Sequence, residues 1–146
     1  MSEFFIAIAS ISPALAILVS IFLYKSTNKK NAKAEILKIN DNLLSLGMQY
    51  PYLENDTFCD TWDRNFLEND DKARYNLYCC KIYNMLILLH DHCNKNVDKM
   101  KKILDIEDYI NTHKAWFSQE SDRTENDDLN KLIHSIIKDL DSRKKI

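Results

Sequence analysis

The first strong pattern along the chain is a long absence of charge. From Phe4 to Tyr24 the sequence FFIAIASISPALAILVSIFLY runs 21 residues without a charged side chain. A helix rising ~1.5 Å per residue covers roughly 30 Å over that length, the thickness of a bilayer core. The residues before it, Met1-Ser2-Glu3, include no Lys or Arg. The run also exceeds the roughly 7–15 apolar residues of a cleaved secretory signal. Residues 1–25 therefore read as a transmembrane anchor. Lys25, Lys29, Lys30 and Lys33 follow directly, around a basic juxtamembrane linker at 26–33. The positive-inside rule places that side in the cytoplasm and the N-terminus outside, as in a single-pass protein of the inner (plasma) membrane. Near the surface each of these lysines contributes about 1 kcal/mol of attraction to anionic lipid. Within the run, Ser12, Ala16 and Ser20 recur every fourth residue, with Ser10 and Ala14 as a parallel pair. Small residues at that spacing let helices approach closely in lipid, so these three are candidates for self-association.

Past residue 33 the pattern changes to helical periodicity, which predicts a cytoplasmic helical domain over 34–146. A first helix over about 32–46 carries Ile36, Leu37, Ile39, Leu43, Leu44 and Leu46, and continues the membrane helix. Gly47 stands where a left-handed helix cap is wanted, with Met48 behind it and Pro51 beyond. A short helix over about 56–66 places Phe58, Trp62 and Phe66 on one face. The third helix, about 71–95, has a wide inward face of Tyr75, Tyr78, Cys79, Ile82, Tyr83, Met85, Leu86, Leu89 and Cys93, and its run MLILL is apolar nearly all round, which makes it central. A fourth helix is expected over about 97–118, with Met100, Ile103, Leu104, Ile106, Ile110, His113 and Phe117 inside. A last one, about 125–143, repeats Leu129, Leu132, Ile133, Ile136, Ile137 and Leu140, with Thr124 and Asp127 as a capping box at its start. The expected class is all-α: one transmembrane helix followed by a bundle of four or five helices.

Composition narrows the chemistry. The 146 residues contain one glycine and two prolines. Phosphate-cradling loops and dinucleotide fingerprints need several glycines and are excluded. Net charge is −2, and the aromatic zone of Tyr50, Tyr52, Phe58, Trp62, Tyr75, Tyr78 and Tyr83 lies among acidic residues. Nucleic acid is therefore not an expected partner, and core packing is the expected use of these rings. Cys59, Cys79, Cys80 and Cys93 match no disulfide framework and read as free thiols of a reducing compartment. The sequon Asn55-Asp56-Thr57 is silent there.

Three groups invite a chemical reading. His90, His92 and Cys93 lie together as HDHC, but without the paired spacing of a zinc site, so helix-end residues are the expected reading. His113 sits on an apolar stripe one turn before Phe117, and catalysis there would need a nucleophile or carboxylate partner from elsewhere in the chain. The acidic stretches 54–71 and 120–128 lack the spaced oxygens of a calcium loop. No catalytic set, metal site or cofactor is expected from these residues.

Tyr50-Pro51, Trp62, and His113 with Trp116 resemble the turn and the aromatic-rich helix pair of uncharacterised small bacterial single-pass membrane-anchored helical proteins. The resemblance implies an anchored helical domain and no particular activity. The expected function is that of a non-enzymatic membrane-anchored interaction or scaffold protein, whose partner is the bilayer together with a cytoplasmic protein or further copies of itself. The alternative is a membrane-permeabilising effector of toxin or phage-defence type that oligomerises through its transmembrane helix.

Overall fold

In a computed structural model of the chain, residues 2–63, 69–120 and 126–143 are described, apart from the side chains of 2–16 and 69. Every element among them is helical: α1 (Ser2–Gln49), a 3-10 turn (Pro51–Glu54), α2 (Asp56–Asp60), α3 (Asn69–His92), α4 (Val97–Lys101), α5 (Ile106–Thr112), α6 (Lys114–Glu120) and α7 (Asp127–Arg143). The chain divides into two compact units, Met1–Glu35 and Ile36–Ile146.

The first unit is the N-terminal part of α1. The segment 26–33, expected as a linker, is helical. From residue 17 to 24 its apolar side chains are exposed on every side, from Ile17, Leu18 and Val19 to Phe22 and Leu23. Among the described residues no helix is long and apolar enough to cross a membrane; the side chains of the run's first part, Phe4 to Ala16, lie outside those residues.

The second unit is built around α3. All nine positions expected to point inward are buried, from Tyr75 to Cys93. The last part of α1 contributes Ile36 and Leu43, both fully buried, with Ile39 and Leu46 partly buried beside them. That is the i, i+3, i+7, i+10 stripe of one helix face. Leu37 and Leu44, expected on the same face, are exposed instead, as is Met48. The 3-10 turn seats Leu53, and α2 packs on that turn and on α6. On the other side, α7 covers α5, α3 and α6 with Leu129, Ile133, Ile136 and Ile137.

Four expectations are corrected. The helix expected over 97–118 is three short ones. Asn96 and Asp105 cap α4 and α5 by accepting the backbone N–H of Lys99 at 3.0 Å and Asp108 at 3.2 Å. His113 stands in a non-helical conformation between α5 and α6. Short Asn and Asp side chains offer the backbone an alternative partner, which ends a helix that apolar spacing alone would continue. The domain accordingly has the end of α1 plus α2 to α7 among the described residues, not four or five helices. Gly47 caps nothing: α1 continues to Gln49, and its φ is not positive. The left-handed turn lies at the end of α3, where Asn94 and Lys95 have φ of 51° and 63°. There Lys95 N–H donates to His90 O at 2.8 Å and Asn94 N–H to Asp91 O at 3.0 Å, a Schellman motif with Asn in the glycine position. Finally, α2 stops at Asp60 and α7 starts at Asp127, with Asn126 accepting the N–H of Leu129. Phe66 and Thr124 lie outside the described residues.

Position within this core decides the cost of substitution. Leu86→Ala, at a 1% exposed site, is expected to lower the unfolding free energy by about 2–5 kcal/mol. Leu77→Ala, on the 65% exposed face of the same helix, should change it by no more than about 0.5 kcal/mol. Urea denaturation followed by tryptophan fluorescence measures both, and equal losses would refute the central placement of α3. By the same assay Asn94→Ala should cost about 1 kcal/mol and Asn94→Gly almost nothing, because only a residue without Cβ adopts the left-handed region freely.

Candidate functional site

Lys25, Lys29, Lys30 and Lys33 all lie exposed on α1. Lys25, Lys29 and Lys33 are spaced one turn apart and share a helix face. Ser20 is exposed on the same helix, whereas the side chains of Ser12 and Ala16 lie outside the described residues.

The polar centre of the second unit was not visible in the sequence. His113, at the junction of α5 and α6, is completely buried, as is Tyr75 of α3. Tyr75 Oη lies 3.0 Å from His113 Nδ1. A phenol has a proton to give, and Nδ1 accepts it in the tautomer that carries its own hydrogen on Nε2. That nitrogen faces Glu54 of the 3-10 turn, with Nε2 3.7 Å from Oε1, within ion-pair range but too long for a hydrogen bond. The same Glu54 oxygen accepts a short hydrogen bond from Tyr78 Oη, which also has the backbone carbonyl of Leu43 at 3.4 Å. Four segments thus meet in this polar cluster: the end of α1, the 3-10 turn, α3 and the α5–α6 junction. The rings pack as well, with His113 5.7 Å from Tyr75 and 5.6 Å from Tyr78 between centroids.

Gly47 explains how Glu54 reaches this place. A Cβ at position 47 would stand 3.2 Å from Glu54 Cγ and 3.7 Å from Tyr78 Oη. The glycine serves close approach rather than a turn.

Electrostatically the centre is divided. Burial works to raise the pKa of Glu54, but the His113 imidazole and the Tyr78 hydroxyl outweigh it and hold the carboxyl below its ordinary value. Burial pushes both phenols far upward, assisted for Tyr78 by the Glu54 carboxylate. Carboxylate, imidazole and hydroxyl are the elements of a nucleophilic relay. Here, however, the imidazole and Tyr75 present no surface to a substrate, and the phenols are held protonated. The arrangement is a tie between helices.

The thiols follow the same rule. Burial raises Cys59 to about 11, with Sγ–H donating to Leu53 O at 3.2 Å. Burial also raises Cys79 well above its ordinary value, and Cys80 and Cys93 are raised by burial as well. A thiol kept protonated is a poor nucleophile and a poor ligand. All four cysteines are free. His90 and Cys93 are buried at the end of α3, and no group of three or more metal-ligating side chains exists among the described residues. The aromatic zone is core: Tyr52 packs tilted against Phe58 at 4.8 Å, and Phe58 and Trp62 lie 5.3 and 5.9 Å from Tyr75. Asn55 of the sequon caps α2, accepting the N–H of Phe58 at 3.1 Å.

The sign of the Glu54 shift dictates a pH dependence. Its folded pKa lies below the ordinary 4.5, so the unfolded chain takes up the proton first on acidification. Stability from this carboxylate is full above about pH 4.5 and is lost as pH falls from there through the lowered folded value. In Glu54→Gln that contribution to the acid slope should vanish. Urea midpoints at a series of acidic pH values measure it, and an undiminished slope in the variant would show that Glu54 is not held by His113 and Tyr78.

Comparison of the chain with protein-family models, with curated proteins and with solved structures returned no match, so the reading of this site rests on its own geometry.

Proposed function

We propose that the protein is a non-enzymatic adaptor, anchored by its N-terminal helix in the inner membrane with the helical domain on the cytoplasmic side. The observation that carries this reading is the uncharged run Phe4–Tyr24, followed at once by Lys25, Lys29, Lys30 and Lys33. Its support in the fold is the all-round exposure of Ile17, Leu18, Val19, Ile21, Phe22, Leu23 and Tyr24. Each large apolar side chain of this kind gains about 1.5–3 kcal/mol when removed from water. An apolar helix with no polar face suits lipid better than water or a protein groove. The exposed lysines then lie at the headgroup level, where anionic lipid attracts them. The enclosure of His113 and Tyr75, which denies the relay a substrate, favours binding over catalysis.

A second reading rests on the small residues Ser12, Ala16 and Ser20, whose spacing suits close helix pairing in lipid. Anchors clustered in this way would permeabilise the membrane.

Alkaline extraction of membranes from producing cells separates the first reading from a soluble protein. The full chain is expected to remain in the pellet, and externally added protease should leave the domain 36–146 intact until the cells are opened. Recovery in the aqueous fraction, or cleavage after Tyr24, would refute the anchor. For the second reading, a potential-sensitive dye should report depolarisation on overproduction, abolished by Ser12→Leu with Ala16→Leu. A membrane that stays polarised rules it out.

A further inference from the structure

Beside the Glu54 end of the polar centre lies a surface cleft of about 630 Å³, entirely within the second unit. One wall is α1, with Leu44, Gly47 and Met48; the other is formed by Ile103, Leu104 and the start of α5. Pro51 and Glu54 close one side. Two features set it apart from the rest of the surface.

The first is a second apolar stripe on α1. Ile36, Ile39, Leu43 and Leu46 supply the stripe that the core uses. Leu37, Leu44 and Met48 form another, and they are 39%, 55% and 84% exposed. Leu44 and Met48 both line the cleft. Methionine is unbranched and soft, suited to a surface that adapts to what it meets. An exposed apolar wall of this kind marks a contact surface.

The second is charge. Three carboxylates line the cleft, Glu54, Asp105 and Asp108, and no Lys or Arg does. Glu54 is tied by Tyr78 on its inner side, while its side chain keeps 40% of its surface. Asp105 caps α5 through one oxygen, and Asp108 is exposed in the first turn. Apolar walls whose charged residues are all carboxylates complement an apolar segment that carries cations.

We infer that this cleft is the docking site of a partner-protein segment that presents apolar side chains flanked by lysine or arginine. The inference rests on the adaptor reading above and gives the adaptor its surface. The occupant sets its apolar side chains against Leu44 and Met48 and its cations toward Glu54, Asp105 and Asp108. A short amphipathic helix laid in a groove meets both demands. A small molecule fits less well, because small-molecule sites enclose most of their ligand and Met48 stands almost fully in solvent here.

The probe is a fluorescently labelled synthetic amphipathic helix of leucine and lysine, with a leucine–glutamate counterpart. Full-length protein is used, in phosphatidylcholine nanodiscs or in buffer according to its fractionation, with empty nanodiscs subtracted. Anisotropy should show the lysine helix bound about tenfold or more tighter than the glutamate helix. Met48→Asp should weaken it about tenfold, and Asp108→Lys should weaken it and flatten its salt dependence. Should Met48→Asp disturb the fold, as judged by hydrogen exchange in α3, Asp108→Lys decides alone. Equal binding of the two helices, or binding indifferent to the substitutions, overturns the proposal. So does self-association of the unliganded protein that Met48→Asp abolishes, which would give the cleft to a second copy. A failed anchor leaves this assay intact, because every lining residue lies between 40 and 109.

Discussion

α3 carries apolar side chains over most of its circumference, leaving only the face of Leu77, Lys81 and Leu88 to solvent, and the second unit is built to cover the rest. Tyr75, Cys79, Ile82, Met85, Leu86 and Leu89 cover more than one face and are all buried. The end of α1 covers one flank and α7 another. The short helices close part of the remainder: α4 packs on α3, and Phe58 of α2 and Trp116 of α6 reach its Tyr75 and Asn76. Their brevity follows from the capped turns between them, where apolar spacing alone would continue one helix from 97 to 118. Asn96 and Asp105 make those turns with side chains that cap one helix after another.

At the heart of this apolar enclosure lies a polar knot, and its energetics differ from those of the surrounding contacts. The buried imidazole accepts from one phenol, while its Nε2 faces the carboxylate at 3.7 Å without a hydrogen bond; it contributes modestly, but leaving the phenols unpaired as well is expensive. The knot therefore acts against wrong packings more than it adds to the right one. A 3-10 turn displaced from its seat would strand Tyr78, and a shifted α5–α6 junction would strand Tyr75. Gly47 belongs to the same device, since a Cβ there would crowd Glu54 where it lies against α1. Surface pairs such as Arg74 with Asp71 at 2.9 Å have no comparable leverage, because water substitutes readily for either partner.

The parts of this architecture that were legible in the sequence are those governed by spacing. The nine inward positions of α3 and the Leu129–Ile137 stripe of α7 follow from a period of 3.6, because burial is the only force that arranges them. Leu37 and Leu44 were misplaced for an informative reason: α1 is apolar on two adjacent faces, and periodicity cannot say which one the core takes. The break at Asp105 left a trace in the sequence, an Asp three residues before Asp108, but the apolar spacing around it masked the trace. Gly47 was misread because glycine serves both turns and close approaches, and only the position of Glu54 decides between them. The pairing of Glu54 with His113 was beyond reach altogether. The two are far apart in the chain, and nothing local to either announces the other.

The buried thiols have a consequence of a different kind. Cys59 sits in α2, Cys79 in the middle of α3 and Cys93 where α3 ends, all buried and all kept protonated by their surroundings. A thiol reagent meets each of them only when its own neighbourhood opens. Labelling at Cys59 and Cys79, which both face Tyr75, therefore reports the opening of one central region, and labelling at Cys93 reports the opening of the end of α3. The domain carries a built-in record of which of its layers comes apart first.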